Sequence, residues 1–231
     1  MNAKKAIIEA CPQVWACLNY KGGVGKSMIS AHLASHLGAV LVDLDVQGDA
    51  SRYAGRAKME FHRAHLSSTN ELFDLVDDLK AQGKRIVIDG PPGDNPLTGL
   101  AILVSDAVVA PTRPGENDLE SLGRIAQAMK EANGIRIDQG VPRVPLFLLL
   151  NFYRRSGLAD TFVDTLQSMG AGRYIGKLWE RMDYSDALTE GMPVWNLAPG
   201  TPAAQEMKNL VEFLERTARM KEPERKKVSN G

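Results

Sequence analysis

A run of glycines framed by two lysines, Lys21-Gly22-Gly23-Val24-Gly25-Lys26-Ser27, is the first place in the sequence where residue types and spacing could do chemistry. Glycines let successive backbone N–H groups curl toward one point, which makes a cradle for a phosphate. A helix opening at Lys26, with Met28 in its first turn, would add the positive end of its dipole. Lys26 would then reach β- and γ-phosphates, and the Ser27 hydroxyl would ligate Mg²⁺. The run departs from G-x-x-x-x-G-K-[ST] at one position, because Tyr20 stands where the first glycine would be.

Two further segments end in acids. Val42-Asp43-Leu44-Asp45 closes one apolar run, and Ile86-Val87-Ile88-Asp89-Gly90-Pro91-Pro92 closes another. Ligands of open α/β sheets gather at the carboxyl ends of the strands, so acids placed there face a nucleotide. Asp43 and Asp45 would share one side if the strand stayed extended through both. Asp89 could hold Mg²⁺ through water. An aspartate at one strand end is by itself an ordinary turn residue; three ordered motifs on three strand ends favour the nucleotide reading.

Elements that alternate between strand and helix must position these groups. Residues 13–18 read as the first strand, and a helix follows the glycines over 26–37. Residues 39–44, 85–89, 107–110 and 145–150 are apolar runs of buried parallel strands. Residues 61–66 form a short strand. Ser68 or Thr69 caps a helix whose Leu72, Phe73, Leu75, Val76 and Leu79 share one face. Further helices are expected over 118–132, stopping near Gly134, over 156–169, and from the Thr201-Pro202 cap to Ala218. The fold class is α/β: a doubly wound, mostly parallel sheet flanked by helices. Residues 1–220 are expected to form one domain, and 221–231 a polar tail.

The segment KGGVGKS resembles the deviant Walker A motif of the ParA/MinD superfamily, and the likeness runs over about 15–214. It implies that Lys21 is the signature lysine, which reaches across a dimer to the partner's nucleotide. Asp43-Leu44-Asp45-Val46-Gln47-Gly48-Asp49 is similar to that family's D-x-D-P-Q-G-N, with Val46 for the proline and Asp49 for the asparagine. By resemblance Asp45 positions the attacking water or supports Mg²⁺, Asp43 is its structural partner, and Asp89 is the Walker B acid. The loop 90–95 would be a second switch. Asn151 is implied as an adenine contact, and Pro111 and Pro114 border the base. No N-K-x-D guanine motif is present, so ATP is expected rather than GTP. The segment 186–194 resembles the family's A-x-x-x-G-x-P-[VI] stretch, and the short distance between the second and third motifs resembles the small ParF-like partition ATPases.

Lys and Arg total 28 and Asp and Glu total 28, so bulk charge gives no argument for nucleic acid, and any DNA contact must come from a local patch. The resemblance implies nonspecific DNA binding by the ATP dimer, with Arg154, Arg155, Arg173, Lys177 and Arg181 as candidates; each can equally be read as a solvated surface charge. It also implies a centromere-binding adaptor, partition of plasmid DNA, and a cytoplasmic protein that joins the nucleoid when ATP-bound. Three rivals remain: positioning of a protein cargo or conjugation complex, phosphorylation of a small molecule, and a nucleotide-binding scaffold without turnover, against which Lys21, Lys26, Asp45 and Asp89 speak. No run is long enough to span a bilayer and the end carries no basic amphipathic helix, so no membrane partner is expected. Cys11 and Cys17 form no C-x-x-C pair and read as buried thiols of a reducing compartment.

Overall fold

The computed structural model describes residues 13–63 and 70–218. Seven strands are described: β1 (Val14–Cys17), β2 (Val40–Asp43), β3 (Phe61–Arg63), β4 (Ile86–Asp89), β5 (Ala107–Thr112), β6 (Leu146–Tyr153) and β7 (Arg173–Trp179). They form one sheet in the order β3-β2-β4-β1-β5-β6-β7. Every pairing is parallel. Because β1 lies between β4 and β5, the chain leaves it first toward one edge and later toward the other. The crevice at its carboxyl end is the switch point of a doubly wound sheet.

The period-2 alternation of strand side chains fills two cores. On one face Val14, Ala16, Ile86, Ile88, Val108, Ala110, Leu146 and Leu148 pack with α3 (Asn70–Ala81), α4 (Pro96–Val104), α5 (Glu116–Asp138) and α6 (Gly157–Ser168). On the other, Trp15, Cys17, Leu41, Val87, Val109, Phe147 and Leu149 pack with α1 (Lys26–Leu37), α2 (Asp49–Arg56), α7 (Met182–Glu190), α8 (Val194–Leu197) and α9 (Pro202–Ala218). Asp43 and Asp89 share the parity of Leu41 and Val87, so they face α1 and α2.

Helix α1 has the bounds expected, and it ends because Gly38 adopts φ 59 while Ala39 N–H donates to the Ala34 carbonyl. Helix α5 does not stop near Gly134 but runs on to Asp138. Its last turns are held from outside: Asn133 exchanges two hydrogen bonds with the backbone of Val144, and the buried Arg136 donates to the carbonyls of Pro142 and Leu103. Those anchors outweigh a mid-helix glycine, which costs about 1 kcal/mol, and Gly140 at φ 73 follows the helix end.

Five elements were not expected: α2, α4, β7, α7 and α8. Of the expected strand 61–66, residues 61–63 are β3; the remainder, the Ser68 or Thr69 cap, Cys11 and the tail lie outside the described residues. Ser156 caps α6, its Oγ accepting from Ala159 N–H, and Thr201 Oγ1 accepts from Ala204 N–H at the start of α9. No helix among the described residues is long and apolar enough to cross a membrane.

Candidate nucleotide site

The glycine run forms the turn between β1 and α1. Gly23 and Gly25 have φ of 70 and 93, and Gly25 is the residue from which the helix starts. Gly25 has no room for a side chain, since a Cβ there would stand 2.1 Å from Asn151 Nδ2. Lys26, the first residue of α1, is buried and donates from Nζ to the Lys21 carbonyl at 3.1 Å. Burial lowers its pKa, against the opposing pull of Asp89 and then Asp45. The ammonium is thus enclosed by the loop that would hold the phosphates, with two carboxylates near enough to favour its charge.

Asp89 is fully buried at the end of β4 and is met by α1. Ser27 Oγ donates to its Oδ2 at 2.7 Å, and Ser30 Oγ lies 2.8 Å from its Oδ1. Burial pushes its pKa up; the Ser27 hydrogen bond opposes this, and the charge of Asp43 on the neighbouring strand adds to it. Asp43 and Asp89 are register partners of β2 and β4. Asp43 is spent on structure: Oδ2 accepts from Ser51 N–H and Ser51 Oγ, and Oδ1 from Asp45 N–H. Strand β2 ends at Asp43, so Asp45 does not continue it and the two acids do not share a strand face. Asp45 lies half-buried in the following turn and accepts from Gln47 N–H at 2.9 Å.

The two departures from the usual second motif have separate fates. Val46 is 77% exposed. Asp49 opens α2, where its charge suits the helix dipole, and pairs with Arg52 one turn on.

Lys21 stands at the rim. Its N–H lies 3.0 Å from Asn19 Oδ1 and 3.1 Å from Ser121 Oγ, and its Nζ lies 2.6 Å from Asp118 Oδ2. The Asp118 carboxylate is buried and its Oδ1 has no hydrogen-bond partner. Six residues further along α5, Arg124 pairs with Asp94 of the loop after β4 and lies over the Tyr20 ring, 4.4 Å from its centroid. Gly93 N–H donates to the Tyr20 carbonyl. Helix α5 therefore grips the glycine loop and the loop after β4 through Asp118, Ser121 and Arg124. Sequence reasoning did not find these three. The only signal was an acid in the first turn of an expected helix, which reads as dipole compensation.

Asn151 is fully buried under the loop: Nδ2 donates to the Val24 carbonyl at 2.9 Å and Oδ1 accepts from Phe152 N–H. Pro111 lies in β5 and its carbonyl accepts from Asn19 Nδ2. The five basic candidates are not gathered on one surface. Arg154, Arg155 and Arg181 line one cavity at the carboxyl ends of β6 and β7, whereas Arg173 begins β7, about 20 Å away along the strand, and lies over Phe213 of α9. A register irregularity near Gly176 puts Lys177 on the opposite sheet face, over Tyr153. Arg154 is paired with Glu180 and Arg181 with Glu206. Cys17 is a free buried thiol whose pKa burial pushes up to about 12.

Among the described residues no group of three or more His, Cys, Asp or Glu side chains is arranged to hold a metal ion by itself. The donors at the loop are one hydroxyl and strand-end carboxylates. Such a set suits a hard dication that draws its remaining oxygens from phosphates and water.

A phosphate loop at the switch point of a parallel sheet, with acids ending the adjacent strands, defines a P-loop nucleotide-binding protein. Residues 15–194 match the CobQ/CobB/MinD/ParA nucleotide binding domain family, and the chain belongs to it. The maintenance of carboxysome distribution protein A of Gloeobacter kilaueensis is 37% identical over 120 residues, which cover 48% of this chain and 54% of that protein. The chromosome-partitioning ATPase Soj of Thermus thermophilus is 26% identical, across 85% of this chain and 93% of its own. Among solved structures, a protein of Borrelia burgdorferi described as a plasmid partition protein and bound to AMPPNP superposes with a TM-score of 0.67 at 20% identity, over 89% of this chain and 99% of its own; at that identity the likeness shows the fold.

Proposed function

We propose that the chain is an ATP-driven dimerisation switch that hydrolyses ATP to ADP and phosphate and uses the cycle to partition DNA, in the first place that of a plasmid. The observation that carries this reading is Lys21. Lys26 already fills the phosphate role, yet a second lysine stands at the rim with its ammonium 2.6 Å from a buried carboxylate on α5. A second cation beside the loop supports the reading that it serves the nucleotide of another subunit. The loop backbone from Gly22 to Ser27 and Lys26 hold the phosphates. Ser27, with Asp89 through water, and Asp45 beside them, would hold Mg²⁺, which neutralises phosphate charge when bound. Asp45, outside the strand and free of Asp43's structural duty, orients the attacking water. Asp43 fixes the turn that carries it.

In the dimer Lys21 exchanges Asp118 for the partner's γ-phosphate. Nonspecific DNA contact would use Arg154, Arg155, Arg181 and Lys177, with Arg173 further off, and a centromere-binding adaptor would speed hydrolysis. A second reading, positioning of a protein cargo, is favoured by the 37% identity to a carboxysome distribution protein and by the ion pairs that occupy Arg154 and Arg181.

Molecular mass and DNA binding with ADP, with ATP, and with ATP for Lys21→Ala test both. An ATP-dependent dimer that binds DNA in a salt-sensitive way, both lost in the variant, supports partition. A dimer indifferent to DNA selects protein cargo. A chain that stays monomeric with ATP overturns the switch.

A further inference from the structure

Two non-glycine residues among those described have positive φ. Lys58, at φ 54, follows α2, where a left-handed residue is an ordinary way to end a helix. Phe152, at φ 52, lies inside β6, where the register against β7 shifts between Leu150 and Tyr153. A bulky residue in that conformation is strained, and such irregularities re-aim side chains beside functional sites. Here the ring is brought against the phosphate loop: a Cβ on Gly25 would stand 3.3 Å from Phe152 Cε2. The ring is half-buried. The Arg113 guanidinium lies over it, 4.8 Å from the centroid, and leans on the Gly23 carbonyl through Nη1 at 3.4 Å.

The acids assigned to the γ-phosphate, Asp45 in the turn after β2 and Asp89 at the end of β4, lie on one side of β1. Arg113 directly follows β5 and Phe152 lies in β6, on the other side. A nucleotide whose phosphates lie at Gly22–Ser27 with its γ-phosphate toward Asp45 and Asp89 therefore directs its base toward the ends of β5 and β6. An aromatic ring backed by the loop, paired with a planar guanidinium, meets it there. Asn151, beneath the loop, has its carbonyl oxygen and one Nδ2 proton already engaged.

We propose that Phe152 is the platform on which the nucleotide's base stacks, and that Arg113, which now covers the ring, closes over the base. The assignment rests on the nucleotide reading above. Stacking accepts any base, so the pair supplies affinity shared by adenine and guanine nucleotides. Discrimination between them falls to edge contacts, for which Asn151 retains one Nδ2 proton.

The test is equilibrium binding of ADP and GDP with Mg²⁺, read by displacement of a fluorescent nucleotide. Phe152→Leu keeps the apolar volume and removes the π face; it is expected to weaken both ligands by about tenfold. Phe152→Tyr should hold both within about twofold, Arg113→Ala should weaken both by roughly threefold, and Phe152→Trp should show emission quenched by ADP beyond that of the wild type. Wild-type affinity in Phe152→Leu, or no added quenching in Phe152→Trp, overturns the platform; should the leucine variant fail to fold, the quenching decides. Lys26→Ala separates the two readings. If it loses ADP while Phe152→Leu does not, only the platform falls; if it binds as the wild type does, the phosphate loop reading falls and the platform with it.

Discussion

The ε-amine of Lys21 lies 2.6 Å from Oδ2 of Asp118, 97 residues away in sequence, and that carboxylate is buried while the lysine side chain remains about a third exposed. The pair holds within one chain the cation that the switch reading assigns to the neighbouring subunit. Dimerisation must break it, so its strength opposes the closed state. A partly exposed pair of this kind is worth about 1 kcal/mol once solvent screening is counted. Asp118→Asn keeps the shape and removes the charge, and is expected to lower the protein concentration for half-maximal ATP-dependent dimerisation by roughly threefold to tenfold. Lys21→Ala should abolish the dimer. Analytical ultracentrifugation with ATP reads both; an Asp118→Asn variant that dimerises less readily than the wild type would show that Asp118 assists the closed state instead.

The acids around β2 should separate in their effects. Asp43 accepts from Asp45 N–H, Ser51 N–H and Ser51 Oγ in a fully buried setting. Asp43→Ala leaves those donors without an acceptor and is expected to cost about 3 kcal/mol in urea unfolding. The side chain of Asp45 accepts one bond, from Gln47 N–H, in the half-buried turn after β2. Asp45→Ala should change stability by less than about 1 kcal/mol, slow turnover by about a hundredfold, and leave the ATP-bound dimer intact. Equal destabilisation by the two variants would contradict the division of labour.

His32 gives the fold a pH limit. A backbone N–H can only donate, so the bond from Val194 N–H to Nε2 at 3.1 Å leaves that nitrogen unprotonated, and Nδ1–H donates to the Met28 carbonyl at 2.7 Å. Burial lowers its pKa from 6.5 to about 4. The folded state thus binds fewer protons than the unfolded one below pH 6.5, so this contribution to stability is present above that pH and is lost as pH falls toward 4. The loss between pH 7 and pH 5 is about 2 kcal/mol. Urea midpoints at the two pH values should differ by less in His32→Gln than in the wild type; an unchanged difference would remove His32 as the cause. The same bond ties the phosphate helix to the 186–194 segment, so the Gly191-x-Pro193-Val194 pattern is a docking device for α1 and α8.

What could be read from the sequence was local. The strands that end in Asp43 and Asp89 are continuous apolar runs buried on both faces, and the glycine loop with its lysine states its chemistry within seven residues. Strand β7 escaped because Arg173, Lys177 and Trp179 are exposed on a sheet edge, so it has no apolar run. Helix α4 carried a readable signal, Asn95 capping a helix with Pro96 in its first turn, its Oδ1 accepting from Leu97 N–H. The site residues that escaped, Asp118, Arg124, Arg113 and Phe152, acquire their roles only when α5 and the ends of β5 and β6 arrive beside the loop. No spacing along the chain encodes that arrival. Asp43 and Asp45 show the converse: their spacing suggested a shared face only while the strand was taken to be extended, and it ends between them.

The two left-handed glycines of the phosphate loop should respond differently to one methyl group. At Gly23, φ 70, an added Cβ meets nothing within 4 Å. Gly23→Ala therefore pays only for the left-handed conformation, about 1 kcal/mol. At Gly25, φ 93, the Cβ would stand 2.1 Å from Asn151 Nδ2 and 3.3 Å from Phe152 Cε2. The nearer neighbour cannot yield cheaply, because Asn151 is fully buried and bonded to the Val24 carbonyl and the Phe152 backbone. Gly25→Ala must open the loop or expel the amide, so it is expected to abolish nucleotide binding and to cost about 3 kcal/mol or more. Thermal melting with nucleotide titration of both variants checks the contrast. If Gly25→Ala also carries Asn151→Ala, the closest contact is gone and part of the stability should return. A double variant no more stable than Gly25→Ala alone would show that the cost lies in the loop backbone and not in the amide packed against it.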